Sequence, residues 1–279
     1  MKINEKELKK LKEAELNILI EFDRVCKKLG INYTLSSGTL LGAVRHQGFI
    51  PWDDDIDVAL LREEYNRFIN EAQNFFSPNL FIQTYQTDSK YPLNFCKLID
   101  TSTTLIDFNM QKIDMKNGVY IDLFPIDKVA SNKIIRTLDN LLISAIHLLK
   151  YSYTREWAYS SNSKLKKSLR LLLYPVARIV GFSFFNRLET YIRTKNNNDK
   201  NKYTYGDRTT ASYQYKDNML MDIEIFNEYD HISFEKYDFQ SIKNKDAYLK
   251  ASYGDYMKLP PIEEQTFTHE FLEVKFSTN

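Results

Sequence analysis

The chain has 279 residues, enough for one large domain or for a catalytic core with one helical addition. A hydrophobic content of 43%, with only 8 Gly and 7 Pro, excludes a disordered or collagen-like chain, and a formal net charge of +1 excludes a polyanion binder, so no nucleic acid is expected as a partner. The charge is uneven, however: residues 131–202 hold 14 Lys/Arg against 4 Asp/Glu, which leaves the remainder acidic by about 9.

Taken in chain order, Leu8, Leu11, Leu16, Leu19, Phe22, Val25, Cys26 and Leu29 recur at helical spacing. They predict an amphipathic helix over 3–29, stopped by Gly30. Ile31 to Leu35 reads as a short strand. A turn at Ser36-Ser37-Gly38 leads into a short helix over Thr39 to His46, and Gln47 to Pro51 is a loop. Asp53 to Leu61 reads as a strand entering the core, followed by a helix over Arg62 to Phe76. Three more strands are expected at Leu80–Tyr85, Phe95–Asp100 and Val119–Phe124. Residues 132–193 are mostly helical and basic, and NNNDKN at 196–201 is a polar break. Short Tyr-rich elements follow, with YGDYMKLPP at Tyr253 to Pro261.

This order predicts an α/β (α+β) fold. Residues 1–130 form a catalytic core around a mixed sheet, 131–202 a basic helical insertion, and 203–279 a C-terminal segment that completes the core. The opening MKINEKELKK has no apolar h-region, and no stretch reaches the roughly 18 apolar residues of a spanning helix. Cys26 and Cys96 lie far apart in apolar surroundings and read as reduced core thiols of a cytoplasmic protein.

The densest chemistry is SSGTLLGAVRHQGFIPWDDDIDVAL, residues 36–60. On an extended strand, alternate side chains share a face, so Asp53, Asp55 and Asp57 would point one way. Carboxylates crowded on one face repel unless a cation lies between them, and hard oxygen ligands suit Mg²⁺ or Mn²⁺. Asp122 interrupts the apolar run GVYIDLFPID and is the best-placed further carboxylate, because a buried lone Asp is costly. Two other readings compete. A solvated acidic turn is opposed by the apolar VALL that follows. A calcium loop has suitable spacing at Asp53, Asp55, Asp57 and Glu64, but Val58 stands where a Gly is needed. Lys97, within the apolar FCKLID, should reach either a phosphate or a carboxylate.

SGTLLGAVRHQGFIPWDDDIDVAL resembles the signature of the LicD family of phosphotransferases. GVYIDLFPID and YGDYMKLPP followed by His269 resemble later motifs of that family, in the same order. The resemblance spans about residues 33–270 and is weakest in the basic helices. It implies a nucleotidyltransferase-like fold and a phosphotransfer reaction. A CDP-activated alcohol, phosphocholine foremost, would be the donor. A sugar hydroxyl of a cell-surface glycan, or of a lipid-linked glycan or teichoic acid precursor, would attack, and CMP would leave.

By the same resemblance Asp55 and Asp57 are a metal pair, Asp53 an auxiliary ligand, and Asp122 a third ligand or the base. Ser37, Gly38 and Thr39 would present backbone N–H groups to the diphosphate. Arg45 suits a phosphate and His46 a hydrogen bond or proton transfer. Tyr256 would stack on cytosine, and His269 would approach from the C-terminal side. An NTP-dependent nucleotidyltransferase releasing pyrophosphate uses the same metal pair and stays open, as does a non-catalytic glycan-assembly or metal-binding protein. The stretch SKLKKSLRLLLYPVARIVGFSFFNRL fits two readings equally: peripheral contact with an anionic inner membrane face, or a packed hairpin with solvated lysines.

Overall fold

A computed structural model describes residues 4–108, 110–154, 163–198, 200, 202–206, 219–267 and 271–276. His269 lies outside the described residues.

Helix α1 (Glu5–Leu29) starts at a reciprocal cap. The Asn4 side chain accepts from the Glu7 N–H while the Glu7 carboxylate accepts from the Asn4 N–H. Gly30, at φ 60°, ends it in the left-handed conformation that glycine adopts without cost. Strand β1 (Thr34–Leu35), helix α2 (Ser37–His46), strand β2 (Asp57–Leu61) and helix α3 (Arg62–Glu71) follow. Then come β3 (Leu80–Gln83), β4 (Cys96–Asp100), β5 (Thr104–Asp107), β6 (Val119–Ile126) and β7 (Lys128–Val129).

Five of these strands form one mixed sheet in the order β1-β2-β6-β4-β3. β2 and β6 run parallel, while the other neighbours are antiparallel. α1 packs across this sheet through Leu11, Ile18, Leu19 and Phe22, all buried in its main core. Cys26 and Cys96 are buried free thiols in that core, and burial pushes both pKa values up.

Two expectations need adjustment. The helix expected over Arg62 to Phe76 ends at Glu71 and tightens into a 3-10 turn, Ala72–Phe75. The strand expected from Asp53 begins only at Asp57. A turn closed by Asp53 N–H donating to the Ile50 carbonyl (3.0 Å) holds the preceding residues off the ladder.

Three helices come next: α4 (Lys133–Lys150), α5 (Lys164–Val180) and α6 (Phe182–Thr194). They pack on one another around Ile143, Ile146, Phe185 and Ile192. Polar bonds tie them to the core. Asn186 donates to the Tyr91 carbonyl, Thr190 to Asn94 Oδ1 (2.9 Å), and Asn197 to Asp127, which also holds Arg62 through both its oxygens. No single helix among the described residues is long and apolar enough to cross a membrane. The pair α5 and α6, bent by 94°, passes such a test only by joint length and composition.

The remaining elements return to the core. β8 (Tyr203–Thr204) and β9 (Met221–Asp222) join β7, while β10 (Tyr229–Phe234) and β11 (Tyr237–Ile242) form a hairpin. Helix α7 (Lys245–Tyr253) precedes β12 (Phe271–Lys275), which pairs with β5. Phe234, Phe239, Ile242, Tyr248 and Phe271 share one buried cluster with α1 and the five-stranded sheet.

Candidate active site

The site grows from the turn at Ser36-Ser37-Gly38. Ser36 N–H donates to the Asp57 carbonyl (3.0 Å), and Asp57 N–H donates to Thr39 Oγ1 (2.8 Å). These two bonds hold the start of β2 against the N-terminus of α2. Ser37 takes a left-handed φ of 44°, rare for a non-glycine residue, and its N–H donates to the Tyr248 phenol oxygen (3.0 Å). Gly38 faces Asp53. A Cβ at position 38 would stand 2.4 Å from Asp53 Oδ2, so only glycine lets the carboxylate lie against the turn. The N-terminal end of α2 carries partial positive charge and suits this acidic neighbourhood.

Asp53, Asp54 and Asp55 each bring one carboxylate oxygen within 4.8 Å of the others. The expected alternation placed Asp54 on the opposite face. Because residues 53–56 are not a strand, Asp54 instead joins Asp53 and Asp55. The Asp53 carboxyl is pushed up to about 8, first by burial, then by the charge of Asp55, a bond to its side chain and the charge of Asp54; Lys12 opposes this. Lys12 also fixes the incoming loop, with its Nζ donating to the carbonyls of Ile50 (3.1 Å) and Pro51 (3.2 Å).

Asp57 stands one strand away from Asp122, directly opposite it in the β2–β6 register. Lys97 on β4 is opposite Asp122 on the other side. Three adjacent strands therefore present Asp57, Asp122 and Lys97 in one row. Lys97 Nζ lies 3.2 Å from Asp122 Oδ1 and 3.0 Å from the centre of the Tyr120 ring. Of the two roles expected for this lysine, carboxylate and phosphate, the first is met within the chain.

The outlying residues have other anchors. Arg45 donates Nη1 to the Tyr256 carbonyl (2.9 Å) and Nε to His46 Nε2 (3.0 Å), so it clasps the C-terminal YGDYMKLPP motif. His46 packs edge-on to Trp52, and burial, then the Arg45 charge, lower its pKa. The Tyr256 phenol donates to Asp246 (3.0 Å). The structure thus brings Arg45, His46 and Tyr256 together, with the arginine spent on backbone.

Sequence reasoning passed over Glu15. It sits on α1 in phase with Leu8, Leu11, Ile18 and Phe22 and is 1% exposed. Its Oε2 has no hydrogen-bond partner among the described residues. Its pKa is raised well above the usual carboxylate range, first by burial and then by Asp55, Asp54, Asp53 and Asp122. A carboxylate at a core position of an amphipathic helix was the available signal. The three carboxylates of Asp53, Asp54 and Asp55, with the fully buried Glu15 carboxyl raised by their charge, form an acidic cluster whose hard oxygen donors fit a divalent cation.

Comparison with known proteins gives two kinds of likeness. The family described as LicD/FKTN/FKRP, nucleotidyltransferase domain, matches residues 30–157. The lipopolysaccharide cholinephosphotransferase LicD of Haemophilus influenzae is 30% identical over 256 residues, 91% of this chain and 92% of that protein. Two further matches are local. Human ribitol 5-phosphate transferase FKRP is 45% identical over 40 residues, 14% of this chain and 8% of that protein. An uncharacterised Rickettsia typhi protein is 56% identical over 41 residues, 15% and 13% of the two chains.

Proposed function

Because the chain belongs to the LicD family of phosphotransferases, we propose that it moves a phosphorylated alcohol from a CDP-activated donor to a sugar hydroxyl of a cell-surface glycan or teichoic acid precursor, releasing CMP. Phosphocholine is the group favoured, from the name of the relative that matches along nearly the whole chain. The observation that carries the reading is the row Asp57–Asp122–Lys97 across three strands, set beside Asp53, Asp54 and Asp55.

Asp53, Asp55, Asp57 and Asp122 would hold Mg²⁺ or Mn²⁺, which when bound neutralises phosphate charge and lowers the barrier to hydroxyl attack. The chain's own groups do the rest. Gly38 and Thr39 face the donor's diphosphate with backbone N–H groups, since the Ser37 N–H is already given to Tyr248. Where Asp122 serves as the base rather than as a ligand, it takes the proton that the acceptor hydroxyl loses as its oxygen bonds to phosphorus. Lys97 keeps positive charge beside Asp122 and draws the phosphate to the same face. Arg45 supports the site indirectly by holding the Tyr253–Pro261 motif near α2. Residues 1–130 and 203–279 serve as the catalytic core, with 131–202 as an insertion; the shared buried cluster of α1, the sheet and the C-terminal elements supports that division.

The test is a set of CDP-alcohols incubated with Mg²⁺ or Mn²⁺ and a glycan acceptor. CMP should appear from CDP-choline in an acceptor-dependent way. Pyrophosphate release from an NTP, with no CMP from any CDP-alcohol, would overturn the reading in favour of nucleotidyl transfer. Asp55→Asn and Asp57→Asn should each reduce turnover by roughly three orders of magnitude or more while the fold persists, since metal-assisted charge stabilisation is worth several kcal/mol. Near-normal turnover by either folded variant contradicts the metal-pair assignment.

A further inference from the structure

The three inserted helices are built with inverted polarity. A helix on a water-soluble core turns its apolar stripe inward and its charges outward. Here the reverse holds. On α5, Leu165, Leu169, Leu172, Val176 and Ile179 recur at steps of four and three, and all are exposed. Leu172 and Ile179 are 74% and 85% exposed. Ile134, Leu138 and Leu141 repeat the pattern on α4, and Phe184, Leu188 and Tyr191 on α6. Ionisable groups share the interior with the small cluster of Ile143, Ile146, Phe185 and Ile192. Glu189 is fully buried and takes Lys150 (2.8 Å), Arg193 (2.7 Å) and His147 (3.0 Å), while Asp139 takes Lys195 (2.5 Å).

We propose that the outer face of α4, α5 and α6 docks on an anionic lipid bilayer. Charge selects this occupant. Exposed cations border the stripes, among them Lys164 and Lys166 at the start of α5 and Arg187 on α6. The segment's excess of ten positive charges suits an anionic leaflet and opposes apposition of two copies through the same face. The helices lie along the surface rather than crossing it. α5 is roughly 25 Å long at 1.5 Å per residue, short of the hydrocarbon core, and α6 leaves it at 94° through Gly181, at φ 77°. The insertion is also tied to the site's sheet: Thr190 of α6 donates to Asn94, three residues before Lys97 of β4. The inference does not depend on which group the enzyme transfers.

Flotation of the full chain with vesicles tests it, using phosphatidylcholine alone or mixed with phosphatidylglycerol. Binding is expected to the anionic vesicles, to weaken with salt, and to persist in part at high salt because the leucine stripe is not screened. The double variant Leu172→Glu, Ile179→Glu changes two exposed side chains, so its melting temperature should match the parent while vesicle binding falls at least tenfold. Changing the exposed Lys164, Lys166 and Arg187 to Gln should remove most of the salt-sensitive part. No binding of the parent to anionic vesicles at low salt overturns the proposal, as does unchanged binding by the Glu double variant. A parent that is dimeric in solution, does not float, and becomes monomeric in the double variant assigns the face to a second copy and overturns it equally.

Discussion

At Gly38 one hydrogen atom separates an open turn from a collision with Asp53. Gly38→Ala places a methyl group 2.4 Å from a carboxylate oxygen, so Asp53 must move. Because that carboxylate ends a side chain rather than a backbone segment, the fold should survive with a small loss of melting temperature. Turnover should fall at least tenfold, and Mn²⁺ affinity, read by titration, should fall with it. Unchanged affinity would remove Asp53 from the donor set. Lys97 offers a second residue-level check. Lys97→Met keeps the stem over Tyr120 but deprives the partly buried Asp122 of its counter-charge, so stability should drop by about 1–3 kcal/mol in chemical denaturation. Restoration of much of that loss by divalent cation would place Asp122 among the ligands.

Between elements, the decisive contact is α1 against the acidic loop 53–55. Asp53 and Glu15 both have raised pKa values in the fold. A carboxyl whose folded pKa lies above its unfolded one stabilises at low pH, and that stabilisation is lost as pH rises through the folded value. The cation-free protein should therefore lose melting temperature between about pH 4 and about pH 8, a window running from the unfolded carboxylate range to the value near 8 for Asp53. Mg²⁺ or Mn²⁺ should flatten that slope, and Glu15→Gln should shrink it without metal. A slope of opposite sign would mean that these carboxyl groups do not govern stability.

Much of the candidate site is legible in the residues alone. The Gly-Ser turn, the aspartates, Asp122 and Lys97 are unusual residue types within apolar runs, and local pattern marks them. Two parts were hidden. Strand alternation puts Asp54 on the wrong face, because a Pro-containing turn stands before a strand that begins only at Asp57. Glu15 looks like one of many helix carboxylates, since its burial depends on β4 and β6, more than 80 residues later in the chain. The β10–β11 hairpin was hidden too: its turn puts Glu235 and Lys236 at φ 50° and 71°, a conformation normally announced by Asn or Gly. Through this turn Glu235 accepts from the Phe49 N–H and steadies the loop before the aspartates.

For the whole molecule, the interior charge node ties the inserted helices together. Glu189→Ala would leave Lys150 and Arg193 buried without their shared anion, a loss of about 3–5 kcal/mol. Hydrogen exchange should then accelerate across 133–194, while protection in the five-stranded sheet changes little. Equal acceleration in both would show that the insertion and the core unfold as one unit.

The C-terminal return has a consequence for synthesis. Tyr33 N–H is satisfied by Gln240 and the Ser37 N–H by Tyr248, partners 207 and 211 positions later. The turn at Ser36-Ser37-Gly38 is therefore unfinished when its own strands leave the ribosome, and it waits while the basic helices emerge. Such distant closure is slow, and it exposes the sheet in the meantime. A nascent chain stalled before residue 240 should remain protease-sensitive around 33–61, and release of the complete chain should protect that stretch and bring activity with it.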